Sequence, residues 1–159
     1  MAPQGASRPS GPILGPMASR IVSATRIIPA SPEQIFDLLA NPEGHVRIDG
    51  SGSVKSTKGN PQRLTKGAKF SMDMKVGIPY SITNTVCEFE ENRTIAWHHF
   101  AQFIWRYDLE PVEGGTKVTE SFDYSKPWGV VLTLTGTGTT NQKNMESTLE
   151  KIEELLAEG

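Results

Sequence analysis

The sequence has a single cysteine, Cys87, which excludes an intrachain disulfide and a cysteine-rich metal site. It contains no run of lysine and arginine, and its 16 basic against 18 acidic residues leave a net charge of −2. This balance does not suit an obligate nucleic-acid binder. No stretch of about 18 apolar residues occurs, so we expect no membrane insertion. With 36% hydrophobic and 21% charged residues in 159, the composition is that of a globular protein with one core, expected in the cytoplasm.

The first sixteen residues differ from the rest of the chain, because they hold four prolines and three glycines and show no apolar period. Their only apolar pair is Ile13-Leu14, whereas a secretory signal needs roughly 7–15 apolar residues. We predict that residues 1–16 are a disordered leader or a cloning remnant. Residues 17–159 are predicted to form a single domain.

Near the start of that domain the residue pattern predicts a strand followed by a helix. Residues 21–28, IVSATRII, are rich in β-branched side chains, which favour a strand. Ser31 fits a helix N-cap, and Gln34 completes a capping box with it. Asn41-Pro42 ends this helix, and a second, short helical turn follows over residues 43–46.

The middle of the chain shows the two-residue alternation of half-buried strands. In KFSMDMKV, residues 69–76, Phe70, Met72 and Met74 share one face and polar side chains occupy the other. Further strands are predicted near residues 53–57, 82–90, 94–100, 103–110 and 117–124. From Met145 onwards apolar residues recur at helical spacing, which predicts a long C-terminal helix. The order predicts an α+β fold, with helices packed on one face of a curved antiparallel sheet of about seven strands.

Strand alternation also predicts which side chains share the inner, concave face of the sheet. If Leu109 pairs with Val118 across the glycine-rich hairpin loop 111–115, then Tyr107 lies opposite Glu120. If a loop of three residues connects the preceding strand to this one, then Trp97 and His99 of the preceding strand also face inward. The inner-face residues so predicted are Trp97, His99, Trp105, Tyr107, Glu120 and Phe122, joined by Phe70, Met72 and Met74.

Glu120 is the informative member of this face, because it is a carboxylate among apolar side chains. A buried carboxylate must be paired, hydrogen-bonded or neutralised. In one interpretation Glu120 anchors a ligand or acts as a general acid or base, its pKa raised by the apolar wall. In the other it is a structural carboxylate satisfied by Tyr107, or it lies at the open end of a cavity.

His99 leaves a similar choice. It is either a proton shuttle, which an aldol cyclisation would need, or a histidine at a strand end that faces water. His98 points to the opposite face, so the pair does not suggest a metal site, and no metal or other cofactor is expected. His45 and Asp49 either hold a loop, with Asp49 capping backbone amides, or line one mouth of the cavity.

The chain resembles the START and birch-pollen-allergen-like superfamily, also called SRPBCC. It is most similar to the bacterial polyketide cyclase/dehydrase-like branch. The resemblance runs from Arg20 to Glu158 and rests on SRIVSATRIIPASPEQIFDLLANPEGHVRIDGSGSV, ENRTIAWHHF, WRYDLEPVEGGTKVTESFDYS and NMESTLEKIEELL in this order. It implies the helix-grip fold, in which the sheet wraps around the C-terminal helix and leaves a cavity for an apolar small molecule.

Superfamily members include lipid carriers, hormone receptors and polyketide aromatase/cyclases, so the resemblance implies a pocket without naming a reaction. We expect an apolar or aromatic small molecule, lipid or polyketide-like, as the partner. The alternatives are a polyketide cyclase, aromatase or dehydratase, with Glu120, His99 and Tyr107 as candidate catalytic residues, and a protein-interaction module. The chain is expected to be a monomer or a homodimer. The candidate ligand-binding residues are Phe70, Met72, Met74, Trp97, Trp105, Phe122 and Met145.

Overall fold

The computed structural model describes residues 20–59, 62–99 and 101–159. The leader predicted for residues 1–16 lies outside these residues. The strands are β1 Ile21–Ile28, β2 Val54–Thr57, β3 Lys69–Val76, β4 Ile78–Glu90, β5 Thr94–His98, β6 Ile104–Val112 and β7 Gly115–Asp123. The α-helices within these ranges are α1 Pro32–Ala40, α2 Pro42–Ile48, α3 Val130–Leu134 and α4 Thr137–Ala157, and a 3-10 turn spans Pro127–Gly129.

The strands form one antiparallel sheet in the order β1-β7-β6-β5-β4-β3-β2. The fold class predicted from the sequence is therefore confirmed, with its sheet, its two short helices after β1 and its long final helix. None of the helices in the described part of the chain is long and apolar enough to cross a membrane.

Helix α1 begins where the capping box predicts. The backbone N–H of Gln34 donates to Ser31 Oγ at 3.2 Å, and the backbone N–H of Ser31 donates to Gln34 Oε1 at 3.1 Å. These bonds satisfy backbone donors that a helix start otherwise leaves without partners. Helix α2 is longer than the predicted turn and runs on to Ile48.

The β6–β7 hairpin has the predicted register. Leu109 pairs with Val118 and Tyr107 with Glu120, so the inner face of these strands is as the sequence predicts. The turn is tighter than the predicted loop 111–115, because only residues 113 and 114 lie between the strands. Gly114 has φ 86°, a left-handed conformation that a glycine adopts without strain.

The connection from β5 to β6 is longer than predicted. His98 pairs with Ile104, so five residues rather than three lie between the strands, and the predicted three-residue loop is wrong. The turn closes with a hydrogen bond from the Gln102 N–H to the His99 carbonyl at 2.9 Å, and Phe103 leaves the ladder to bury its ring. Because three and five are both odd numbers of loop residues, Trp97 still pairs with Trp105 and the predicted side chains still face inward.

Helix α4 packs along the inner face, chiefly against β1 and β7. It begins at Thr137, eight residues before Met145, and Met145, Leu149 and Ile152 are buried against the sheet. The loop after α2 touches this helix directly at Gly50. A β-carbon there would stand 2.2 Å from the Asn144 carbonyl oxygen, so the close approach requires glycine.

Candidate functional site

Tyr107 and Glu120 form a hydrogen-bonded pair in the interior. They are cross-strand partners on β6 and β7, and both are buried. The Tyr107 hydroxyl donates to the Glu120 carboxyl group. Glu120 Oε2 is nevertheless buried without a hydrogen-bond partner among the described residues. The pair thus combines the two interpretations left open by the sequence, because Tyr107 satisfies one side of the carboxyl group and the other side remains available.

Burial makes Glu120 a weak acid. Desolvation raises its pKa from 4.5 to about 8, the Tyr107 hydrogen bond opposes this shift, and the charge of Asp49 adds to it. Burial also raises the pKa of Tyr107 well above 10, with the nearby Glu120 adding to the effect. Glu120 is therefore mostly protonated at pH 7.

Aromatic rings and methionines surround this pair. Trp105 stacks on Phe122 with 4.5 Å between ring centroids, and Phe70 meets Trp97 edge-on at 5.5 Å. The candidate ligand-binding residues that are buried are Phe70, Met72, Trp97, Phe122 and Met145, whereas Met74 and Trp105 are half-buried. All seven belong to the hydrophobic core or pack against it, and their role in binding a ligand stays a prediction.

His99 lies apart from the pair. Tyr107 faces Ile95 across β5 and β6, and His99 is four residues further along, about 13 Å at the rise of a strand. The row containing Trp97, Trp105 and Phe122 stands between them. His99 is half-buried, and its Nδ1 accepts the Ala101 N–H at 3.0 Å. Burial lowers its pKa, with the neighbouring His98 adding to the effect.

His45 is part of the interior. Its ring stacks on Trp97 at 4.8 Å between centroids and meets Phe70 edge-on. Its Nε2–H donates to the Leu39 carbonyl at 2.6 Å, at the end of α1. Burial lowers its pKa from 6.5 to about 4, so the ring is neutral near pH 7. His45 therefore ties α1 and α2 to the aromatic wall.

Asp49 caps the loop that brings α2 to the sheet. Its carboxylate accepts the backbone N–H of Ser51 and that of Val54, each at 3.0 Å. The amide-capping interpretation of the sequence is confirmed. Its backbone carbonyl accepts Lys151 Nζ at 2.6 Å, which joins the loop to α4.

Three buried polar residues were missed in the sequence, and one of them is Thr116, whose hydroxyl donates to the Ala30 carbonyl at 2.7 Å. Asn84 lies on the inner face of β4, opposite Phe70, and Thr148 lies on α4, where its Oγ1 accepts the Gly50 N–H at 3.0 Å. Asn84 follows from alternation once β4 is paired with β3. Thr148 has no such signal, because its role depends on the approach of a distant loop.

Two surface grooves of the described chain lie at the edges of this interior, and one of them reaches Phe70. One, of about 390 Å³, includes Leu38, Arg47 and Leu156 and separates α1, α2 and the end of α4. The other, of about 310 Å³, lies beside Arg63 and Lys69. Within residues 20–59, 62–99 and 101–159, no group of three or more potential metal-ligating side chains comes together.

Comparison with known proteins gives the family. The profile of the family described as polyketide cyclase/dehydrase and lipid transport matches residues 19–157. The chain belongs to this family. An uncharacterised protein of Mycobacterium tuberculosis, Rv0088, is 33% identical over 145 residues, which cover 87% of this chain. The chain spans 65% of the length of that relative.

Solved structures share the fold of this polyketide cyclase/dehydrase and lipid transport family member. The crystal structure of protein Ms6760 from Mycobacterium smegmatis has a TM-score of 0.69 at 16% identity, covering 89% of this chain and 94% of the other. An AHSA1-like protein from Aeromonas hydrophila has a TM-score of 0.64 at 18% identity, covering 84% and 90%. The resemblance found in the sequence is thereby confirmed.

Proposed function

We propose that the protein binds an apolar or aromatic small molecule, lipid or polyketide-like, between the inner face of the sheet and α4. The observation that carries this proposal is the unpartnered Oε2 of Glu120, buried in a largely apolar interior. A buried polar atom without a partner costs about 1–3 kcal/mol. A ligand that supplied one polar atom at this point would recover that energy on binding.

The protonation state of Glu120 specifies that polar atom. The Tyr107 hydroxyl donates to one side of the carboxyl group, and a neutral Glu120 has its own proton to donate from Oε2. The matching ligand group is a hydrogen-bond acceptor such as a ketone oxygen. The rest of the ligand would meet rings and thioethers, and the flexible side chains of Met72 and Met145 can repack around it.

Two probes that differ by one carbonyl oxygen test the proposal. We expect 2-acetylnaphthalene to bind about tenfold more tightly than 2-ethylnaphthalene at pH 6.5, because only the ketone accepts from Glu120. Quenching of tryptophan fluorescence, checked by calorimetry, gives both affinities. Native mass spectrometry of the purified protein, followed by denaturation, would identify any co-purified molecule.

The variant Glu120→Met removes the carboxyl group at similar side-chain volume. It should bind both probes equally, at the wild-type affinity for the hydrocarbon. Glu113→Gln, in the exposed β6–β7 turn, is the matched control and should keep the preference for the ketone. Equal affinity of the wild-type protein for the two probes, or no binding of either, would contradict the proposal.

The Tyr107–Glu120 pair also favours a second candidate function, acid–base chemistry of cyclase type on the bound molecule. Glu120 is the acid in this scheme, because its raised pKa keeps a proton available at pH 7. The scheme does not use His99, which lies beyond the end of β5, four residues along the chain from the β5 partner of Tyr107. If catalysis occurs, Glu120→Gln should preserve folding and ligand affinity while removing turnover. Equal loss of stability and binding would make Glu120 structural instead.

A further inference from the structure

The β3–β4 hairpin extends past the end of β5 as an arm, which β2 flanks along β3 as far as Met74. β5 pairs with β4 only from Thr85, opposite His98, so residues 78–84 of β4 have β3 as their ladder partner. At about 3.3 Å per residue, this portion reaches about 20 Å beyond the end of β5. The arm turns at Gly77, where φ is 71°.

The inner face of this arm is apolar and becomes exposed towards its tip. Its cross-strand pairs are Met72 with Ile82, Met74 with Tyr80 and Val76 with Ile78. Met72 is 3% exposed, whereas Val76 is 68% and Ile78 78% exposed. The opposite face carries polar pairs such as Asp73 with Ser81, whose side chains are hydrogen-bonded at 2.8 Å. The amphipathic pattern of a half-buried strand thus continues where nothing among the described residues covers it.

A second exposed apolar group lies at the same end of the fold. The strands are antiparallel, so the β3–β4 turn, the turn after β5 and the end of β7 share one end of the sheet. The 3-10 turn and α3 follow β7 directly, and the Trp128 Nε1–H donates to the Ala101 carbonyl at 2.9 Å. The exposed residues of this segment are Trp128, Val130, Val131 and Leu134, the last 82% exposed. Together with Val76, Ile78 and Tyr80 we call them the apolar end.

Lysines accompany the apolar end. Residues 74–84 and 124–145 contain Lys75, Lys126 and Lys143. The carboxylates next to these segments are those of Asp73, which accepts from Ser81, of Asp123, which accepts the Ser125 N–H, and of Glu146. Exposed aliphatic side chains with tryptophan, tyrosine and lysine have the chemistry of surfaces that bind at the membrane–water interface.

We propose that the apolar end docks onto an anionic lipid surface. The aliphatic residues enter the boundary between headgroups and acyl chains, the rings of Tyr80 and Trp128 lie at headgroup level, and the lysines face lipid phosphates. This departs from the sequence expectation of no membrane insertion, because interfacial docking uses short exposed patches instead of a long apolar run. It does not depend on ligand binding in the interior, so the two proposals can fail separately.

Vesicle flotation with the full chain tests the docking. We expect binding to vesicles of phosphatidylcholine and phosphatidylglycerol and much weaker binding to phosphatidylcholine alone or in 0.5 M salt. The double variant Ile78→Ser/Leu134→Ser should bind at least tenfold more weakly, because it removes two apolar side chains from the docked surface. Lys75→Glu should weaken binding at least fivefold.

The matched control is Ile27→Ser, to be compared with Ile78→Ser alone; it removes an isoleucine that is 57% exposed on the outer face of β1, near the opposite end of the sheet. It should bind like the wild-type protein. Brominated lipids should quench the wild-type fluorescence, and Trp128→Phe should lose this quenching while it still floats with the vesicles.

Three results would overturn the proposal. The first is no binding to anionic vesicles, and the second is an equal loss in the test and control variants. The third is an apolar end already covered, by a second copy or by residues 1–19. Sedimentation velocity would then show a dimer that Ile78→Ser/Leu134→Ser abolishes, or vesicles would bind only after residues 1–16 are deleted.

Discussion

The substitution Glu120→Gln should remove a loss of stability that the wild-type protein suffers as the pH rises. The pKa of Glu120 is about 8 in the folded protein and near 4.5 once burial is relieved. Between these values the folded state holds the proton that the unfolded state releases. Rising pH therefore favours unfolding throughout this window, at up to about 1.4 kcal/mol per pH unit.

The titration of His45 limits the pH range in which the effect of Glu120 on stability can be measured. Burial lowers its pKa from 6.5 to about 4, so the unfolded state binds the extra proton and stability increases as the pH rises from 4 to 6.5. The two residues therefore oppose each other below pH 6.5. From pH 6.5 to 8 Glu120 dominates the pair, and we expect the free energy of unfolding to fall by roughly 1–1.5 kcal/mol.

Urea unfolding, followed by tryptophan fluorescence at half-unit steps from pH 6.5 to 8, measures this decline. The amide side chain introduced by Glu120→Gln does not titrate, so the variant should show a nearly flat profile, and the exposed control Glu113→Gln should decline like the wild-type protein. Parallel profiles for the wild-type protein and Glu120→Gln would refute the reasoning, since Glu120 would then not be a protonated, desolvated carboxyl group in the folded state.

Three further substitutions test the packing around the site. Gly50→Ala should cost about 2–3 kcal/mol in urea unfolding, because its β-carbon would press on the Asn144 carbonyl; an unchanged midpoint would contradict this close approach. Ser31→Ala should cost about 1 kcal/mol and speed amide exchange in the first turn of α1, since it removes the cap; unchanged exchange would argue against the cap. Tyr107→Phe should cost about 1 kcal/mol and raise the pKa of Glu120 further, because it deletes the hydrogen bond that lowers it. Carbon-13 NMR of the Glu120 carboxyl group reads this shift, and a fall in the pKa would count against the bond.

Local patterns in the sequence were sufficient to predict the helices and strands and the pairing of Tyr107 with Glu120. The capping box at Ser31 and the alternation in residues 69–76 depend on backbone geometry within a few residues, so they can be read before the chain is folded. The pairing of Tyr107 with Glu120 follows from one short turn and the two-residue period. The inner-face positions of the aromatic residues follow from the same register.

Tertiary packing decided the rest, because solvation and close approach depend on residues far apart in the chain. The sequence did not show that Tyr107 satisfies only one side of Glu120, or that His45 stacks on Trp97. It also predicted too short a loop after β5, since the burial of Phe103 is a long-range effect. The exposure of Ile78 is also a long-range effect. Its strand has the residue pattern of a half-buried face, and only the three-dimensional structure shows that β4 runs past the end of β5 and leaves Ile78 exposed.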